Sequence, residues 1–122
     1  MNFGHTLGHA IESYCLTNEN KKTLLHGEAI AIGMILEAFL AKELTQLSSS
    51  ECDEIKTVFN SIYPAVKFSS EEINEIIELL QYDKKNSHGK IKFVLLKSIG
   101  KAIIDIEVSN ELLLSSFEYY SK

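Results

Sequence analysis

Phe3, Leu7, Ala10, Ile11 and Tyr14 recur at three- and four-residue spacing, which draws one apolar stripe along the opening stretch if it is helical. The polar residues Thr17 to Lys22 then read as a loop. From about His26 to about Leu44 the pattern predicts a second helix, rich in Ala, Ile, Leu and Met. It is apolar on most sides, and Ala29, Ala31, Gly33, Ala38 and Ala41 let neighbours approach closely, so a central place is expected. Its most apolar run, Ala29 to Leu40, is interrupted at Glu37 and falls short of the roughly 20 residues that span a bilayer. No membrane association is expected.

Ser48, Ser49 and Ser50 are natural N-caps for a third helix ending at about Tyr63, where Pro64 stops it. Glu51, Asp53 and Glu54 favour the positive end of that helix's dipole. Ser69 and Glu72 stand at capping-box spacing before Ile73, Ile76, Ile77, Leu79 and Leu80, which carry a fourth helix to about Tyr82. The segment DKKNSHG is polar and turn-prone. Lys90 to Leu96 and Ala102 to Val108 are β-branched and partly alternating, as two strands joined by a turn at Ser98 to Gly100 would be. Asn110 can cap a last helix to Tyr120. The expected class is mainly α, one domain over 1–122, with a small late β-hairpin.

Composition narrows the function. The 45% hydrophobic and 24% charged content is that of a chain able to bury a core. The formal charge of −5 sets 17 acids against 12 lysines, with no arginine, so no basic stripe suits nucleic acid. Cys15 and Cys52 fit neither a CxxC nor a secretory pattern, and no basic region precedes an apolar one at the N-terminus. Both features read as reduced thiols in a cytoplasmic protein.

The chemistry concentrates in NFGHTLGHAIE, residues 2–12, and LLHGEAIAIGM, residues 24–34. On a helix, His5 and His9 share a face, so both imidazoles could meet one metal ion or one substrate. Gly4 and Gly8 each precede a histidine, and each costs the helix about 1 kcal/mol relative to alanine. That cost is understandable where a ligand or another backbone must come close. His26 opens the central helix and can reach toward the face that carries His5 and His9. Three histidines from adjacent segments would suit zinc, whose catalytic sites keep three protein ligands and an open position. Glu28 has two readings, a carboxylate that fixes a histidine tautomer or an acid favoured in a first helical turn.

These two motifs, followed by DKKNSHGKIKFVLLKSIG, resemble in order the signatures of the 3-dehydroquinate synthase family, with the match running through residues 2–101. More distantly the chain is similar to sugar-phosphate cyclases and to iron-containing alcohol and glycerol dehydrogenases. The resemblance implies a two-domain enzyme in which an N-terminal α/β half binds NAD and a helical C-terminal domain supplies metal and substrate ligands. Only the C-terminal domain is represented. The family's NAD-binding glycine motif, its metal-binding glutamate and its upstream lysine and arginine have no counterpart here, and Met1 stands where the family has a hydrophobic residue in mid-chain. The chain is therefore expected to open within an active-site segment.

Residue by residue, the resemblance implies that His5 and His26 are ligands to zinc, or to cobalt in its place. His9 would face the substrate and relay a proton, and Asn2 would contact the substrate. Lys84, with Lys85 as the alternative, would hold the substrate's phosphate or carboxylate, whereas on composition alone both lysines read as a solvated loop. His88 receives no role. The implied reaction converts 3-deoxy-D-arabino-heptulosonate 7-phosphate, an anionic sugar phosphate, to 3-dehydroquinate and phosphate in the shikimate route to aromatic amino acids. NAD is consumed and regenerated within the cycle, and the metal acts as a Lewis acid on the substrate hydroxyls. The chain alone is expected to be inactive, with the N-terminal half as its partner. A bare face toward that half would invite self-association as a homodimer. Two other readings stay open: the domain of a related sugar-phosphate cyclase or metal-dependent polyol dehydrogenase, and a non-catalytic helical interaction module.

Overall fold

The computed structural model describes residues 5–17, 26–83, 91–98 and 101–122, with side chains described over 7–17, 26–80 and 108–122. Helix α1 (His5–Thr17) buries Leu7, Ala10, Ile11 and Tyr14 of the expected stripe, together with Cys15, while Phe3 lies outside the described residues. It runs through Thr17, which the sequence pattern assigns to the following loop. The Thr17 hydroxyl turns back to the Ser13 carbonyl at 3.0 Å and so extends the last turn.

Helix α2 (His26–Leu44) is the centre of the molecule, packed by α1 on one side and by later elements on others. Ala29, Ala31, Ile32, Gly33, Ile35, Leu36, Ala38, Leu40 and Ala41 are buried along it, as its all-round apolar pattern requires. Helix α3 (Ser49–Ile62) lies against α2 and buries Cys52. Of the three candidate serines, Ser48 is the cap. Its hydroxyl accepts from the Glu51 amide at 3.0 Å while the Glu51 carboxylate accepts from the Ser48 amide at 3.2 Å. The helix stops before Pro64, with Tyr63 in the extended conformation (φ −122°, ψ 132°) that a following proline favours.

Helix α4 (Ser70–Asp83) starts from the capping box read in the sequence. The Glu72 amide donates to Ser69 Oγ at 3.1 Å, and the Ser69 amide donates to Glu72 Oε1 at 2.7 Å. It packs on α1, where the Tyr14 hydroxyl reaches Glu75 Oε1 at 3.4 Å. The backbones of β1 (Ile91–Ser98) and β2 (Lys101–Val108) pair antiparallel, Ile91 opposite Val108, and β1 runs beside α2. Ser98, expected in the turn, ends β1, and the rest of that turn, 99–100, lies outside the described residues.

Helix α5 (Asn110–Ser121) closes the core with Leu113, Phe117 and Tyr120. Its cap is Ser109 and not Asn110, because the Leu112 amide donates to Ser109 Oγ at 3.2 Å. Both residue types cap well, and the one that stands three positions before that amide takes the bond. Lys56 of α3 donates to the carbonyls of Tyr119 and Lys122 at 2.8 and 2.9 Å, placing a cation at the negative end of α5. No helix among the described residues is long and apolar enough to cross a membrane.

Candidate functional site

Gly8 decides how α1 meets α2. A Cβ built there would lie 2.7 Å from Ile30 Cδ1, 3.1 Å from Ile30 Cα and 3.2 Å from the Ala29 carbonyl oxygen. The two helix backbones therefore cross in contact, and only a residue without a side chain permits it. The next residue on α1 is His9. The crossing accordingly sets His9 beside the first turn of α2, where His26 begins the helix.

A second tie fixes the opening of α1. The Leu7 amide, in the first described turn of the helix, donates to Glu37 Oε2 at 3.1 Å. Glu37 is 1% exposed, so the interruption in the apolar run of α2 is a buried acceptor for the turn that carries the histidines. Gly27, next to His26, leaves room for the Tyr63 hydroxyl, which a Cβ would meet at 3.0 Å.

Glu12 is where the two helices share chemistry. Its Oε1 lies 3.2 Å from His26 Nδ1, a hydrogen bond across the crossing, and 3.9 Å from His9 Nδ1 one helical turn earlier. The two imidazole centroids are 5.9 Å apart with their planes inclined at 41°. Both imidazoles are well exposed, at 59% for His9 and 58% for His26, so the cluster opens toward solvent. Exposed pairs of this kind add little to stability, and their consequence is orientation. Glu28 sits half-buried in the first turn of α2, where an acid suits the helix dipole.

Helices α1 and α2 pack together, and of the predicted site residues His9 and His26 meet there. The His5 side chain, Asn2, Lys84, Lys85 and His88 lie outside the described residues. Among the described residues, no three His, Cys, Asp or Glu side chains converge to hold a metal ion. Glu12 and Glu37 are the contributions that sequence reasoning left unassigned. Glu12 stands three positions after His9 and so on the same helical face, a legible signal; that its partner is His26 was not.

The sequence model of the family described as 3-dehydroquinate synthase C-terminal matches residues 1–86, which contain both histidine motifs and the whole α1–α2 crossing. The chain belongs to this family. The 3-dehydroquinate synthase of Parabacteroides distasonis is 36% identical over 120 residues, covering 98% of this chain and 33% of that enzyme. The 3-dehydroquinate synthase of Rippkaea orientalis is 42% identical over 118 residues, covering 94% of this chain and 31% of that enzyme. The chain thus spans about a third of the length of these dehydroquinate synthases. Among solved structures, 2-deoxy-scyllo-inosose synthase complexed with carbaglucose-6-phosphate, NAD+ and Co2+ superposes with a TM-score of 0.74 at 25% identity, over 96% of this chain and 32% of that one. The fold is that of the dehydroquinate synthase-like enzymes.

Proposed function

We propose that this chain is the metal- and substrate-binding part of a 3-dehydroquinate synthase, an enzyme that converts 3-deoxy-D-arabino-heptulosonate 7-phosphate to 3-dehydroquinate and phosphate. The observation that carries the reading is the α1–α2 crossing at Gly8, which brings His9 and His26 together and puts the Glu12 carboxylate on His26, inside the stretch that matches the family. Identity of 36 to 42% to dehydroquinate synthases, against 25% to the inosose synthase, favours this reaction over that of a related cyclase.

The donor chemistry fits a zinc or cobalt ion as a partial set. His26 has Nδ1 turned to a carboxylate, the arrangement that orients metal-bound imidazoles through their second nitrogen. In this reading His26 and His5 hold the ion, together with a glutamate that has no counterpart in these 122 residues. When bound, the metal would supply Lewis-acid polarisation of substrate oxygens and NAD would supply a hydride acceptor. His9, with Nδ1 3.9 Å from Glu12 Oε1, takes and returns a proton at the reacting hydroxyl. Asn2 contacts the substrate, and Lys84 or Lys85 receives its anionic end. The NAD-binding half of the same enzyme is the partner that completes the site.

The test is a chimera in which this chain replaces the matching third of the Parabacteroides distasonis enzyme. With NAD+ and Zn2+ or Co2+ it should release phosphate from the heptulosonate phosphate. A folded, NAD+-loaded chimera that releases none, while its parent does, contradicts the proposal.

A further inference from the structure

We infer that Glu12 is a positioning residue for His26, setting which ring nitrogen carries the proton and therefore which one is offered to a ligand. The inference deepens the reading of His26 as a ligand-facing imidazole and rests on it.

Three observations converge. Glu12 Oε1 approaches His26 Nδ1 at 3.2 Å, and an ionised carboxylate only accepts, so the nitrogen facing it carries the proton. In the neutral ring that leaves Nε2 as the basic nitrogen. The same oxygen is 3.9 Å from His9 Nδ1, too far for a hydrogen bond, so it bonds the His26 nitrogen and not that one. The direction of approach is set by the fold. Glu12 follows Ile11, which is fully buried, on a helix whose crossing with α2 is held by the Gly8 contact. Glu12 is itself part-exposed, at 30%, so its loss leaves the α1–α2 packing in place.

The asymmetry has a chemical use. Of two histidines 5.9 Å apart, the one that donates Nδ1–H to Glu12 is held with Nε2 toward a ligand.

The experiment is nuclear magnetic resonance of the 15N-histidine-labelled 122-residue chain, read from long-range ring correlations at a pH of about 8, above histidine's ordinary range. His26 should be the Nδ1–H tautomer. Glu12→Ala should make Nε2–H the major form, while Glu12→Gln, whose amide oxygen still accepts, should keep the parent pattern. Circular dichroism and the melting temperature should be unchanged in both. A parent His26 that carries its proton on Nε2 overturns the proposal, even should Glu12→Ala fail to fold. So does an Nδ1–H tautomer that persists in Glu12→Ala. Competition for Zn2+ against a chromophoric chelator, in the chimera that supplies the missing glutamate, separates the two claims: Glu12→Ala should weaken zinc about 10–100-fold. A tautomer that shifts with zinc affinity unchanged upholds the positioning role and removes His26 from the metal.

Discussion

Gly8 and Ile30 touch so closely that a single methyl group on Gly8 would sit 2.7 Å from Ile30 Cδ1. The Ile30 side chain can rotate away, but its Cα at 3.1 Å and the Ala29 oxygen at 3.2 Å are backbone and move only if the helices part. Gly8→Ala gains about 1 kcal/mol of helix propensity and loses about 1–3 kcal/mol to overpacking. The expected outcome is a net loss of about 1 kcal/mol in urea unfolding, with a wider separation of His9 and His26. Gly27→Ala meets only the end of the Tyr63 side chain at 3.0 Å and should cost less. If Gly8→Ala proved the more stable of the two, the crossing would not be as tight as described.

The buried carboxylate of Glu37 matters through the amide it accepts. Glu37→Leu leaves the Leu7 N–H without that acceptor and should cost about 1–3 kcal/mol, the penalty for removing one partner of a buried hydrogen bond. Glu37→Gln keeps an oxygen in place and should cost less. Removal of a buried charge works in the opposite direction, and a leucine variant more stable than the glutamine variant would show that desolvation wins here. Urea midpoints of the three proteins decide it.

At the other end of α2, Tyr119 donates to Asp53 Oδ1 at 2.6 Å, and its hydroxyl is pushed well above the usual tyrosine range, first by burial and then by that bond. Burial also raises the Cys52 thiol. Both groups hold their protons in the folded chain at pH values where the unfolded chain releases them. Their contribution is complete below the ordinary values of 9.0 for the thiol and 10.0 for the phenol, and is lost as pH rises above them. Stability should therefore stay level from neutral pH to about 9 and then fall. In Tyr119→Phe the fall above the ordinary tyrosine value should be shallower. Equal slopes for parent and variant would remove Tyr119 as a source.

Much of this architecture was legible in the pattern of residues. The bounds of α2 follow from the helical pattern between His26 and Leu44 around the apolar run Ala29 to Leu40, and Pro64 ends α3 as its ring demands. Where several good cappers stand together, as at Ser48 to Ser50 or Ser109 and Asn110, composition names the helix start and only the hydrogen bonds name the cap. The site divides the same way. Gly8 and its flanking histidines announce a close approach, but not that the approaching partner is the Ile30 backbone. Glu37 interrupts an apolar run visibly, yet its amide partner lies 30 residues earlier, and Glu12 and His26 meet across a separation of 14. Such pairings are properties of the crossing and not of any local stretch.

The division of labour between two neighbouring histidines is the central claim, and metal content measured alongside turnover tests it most directly. In the chimera with the Parabacteroides distasonis enzyme, His9→Ala should retain about one zinc per chain, as a site with three protein ligands would. Its turnover should fall by about 10²–10⁴, the span of general acid–base catalysis. His26→Ala should purify without zinc and without turnover. A His9→Ala enzyme that loses its zinc, or a His26→Ala enzyme that keeps it, would contradict the account.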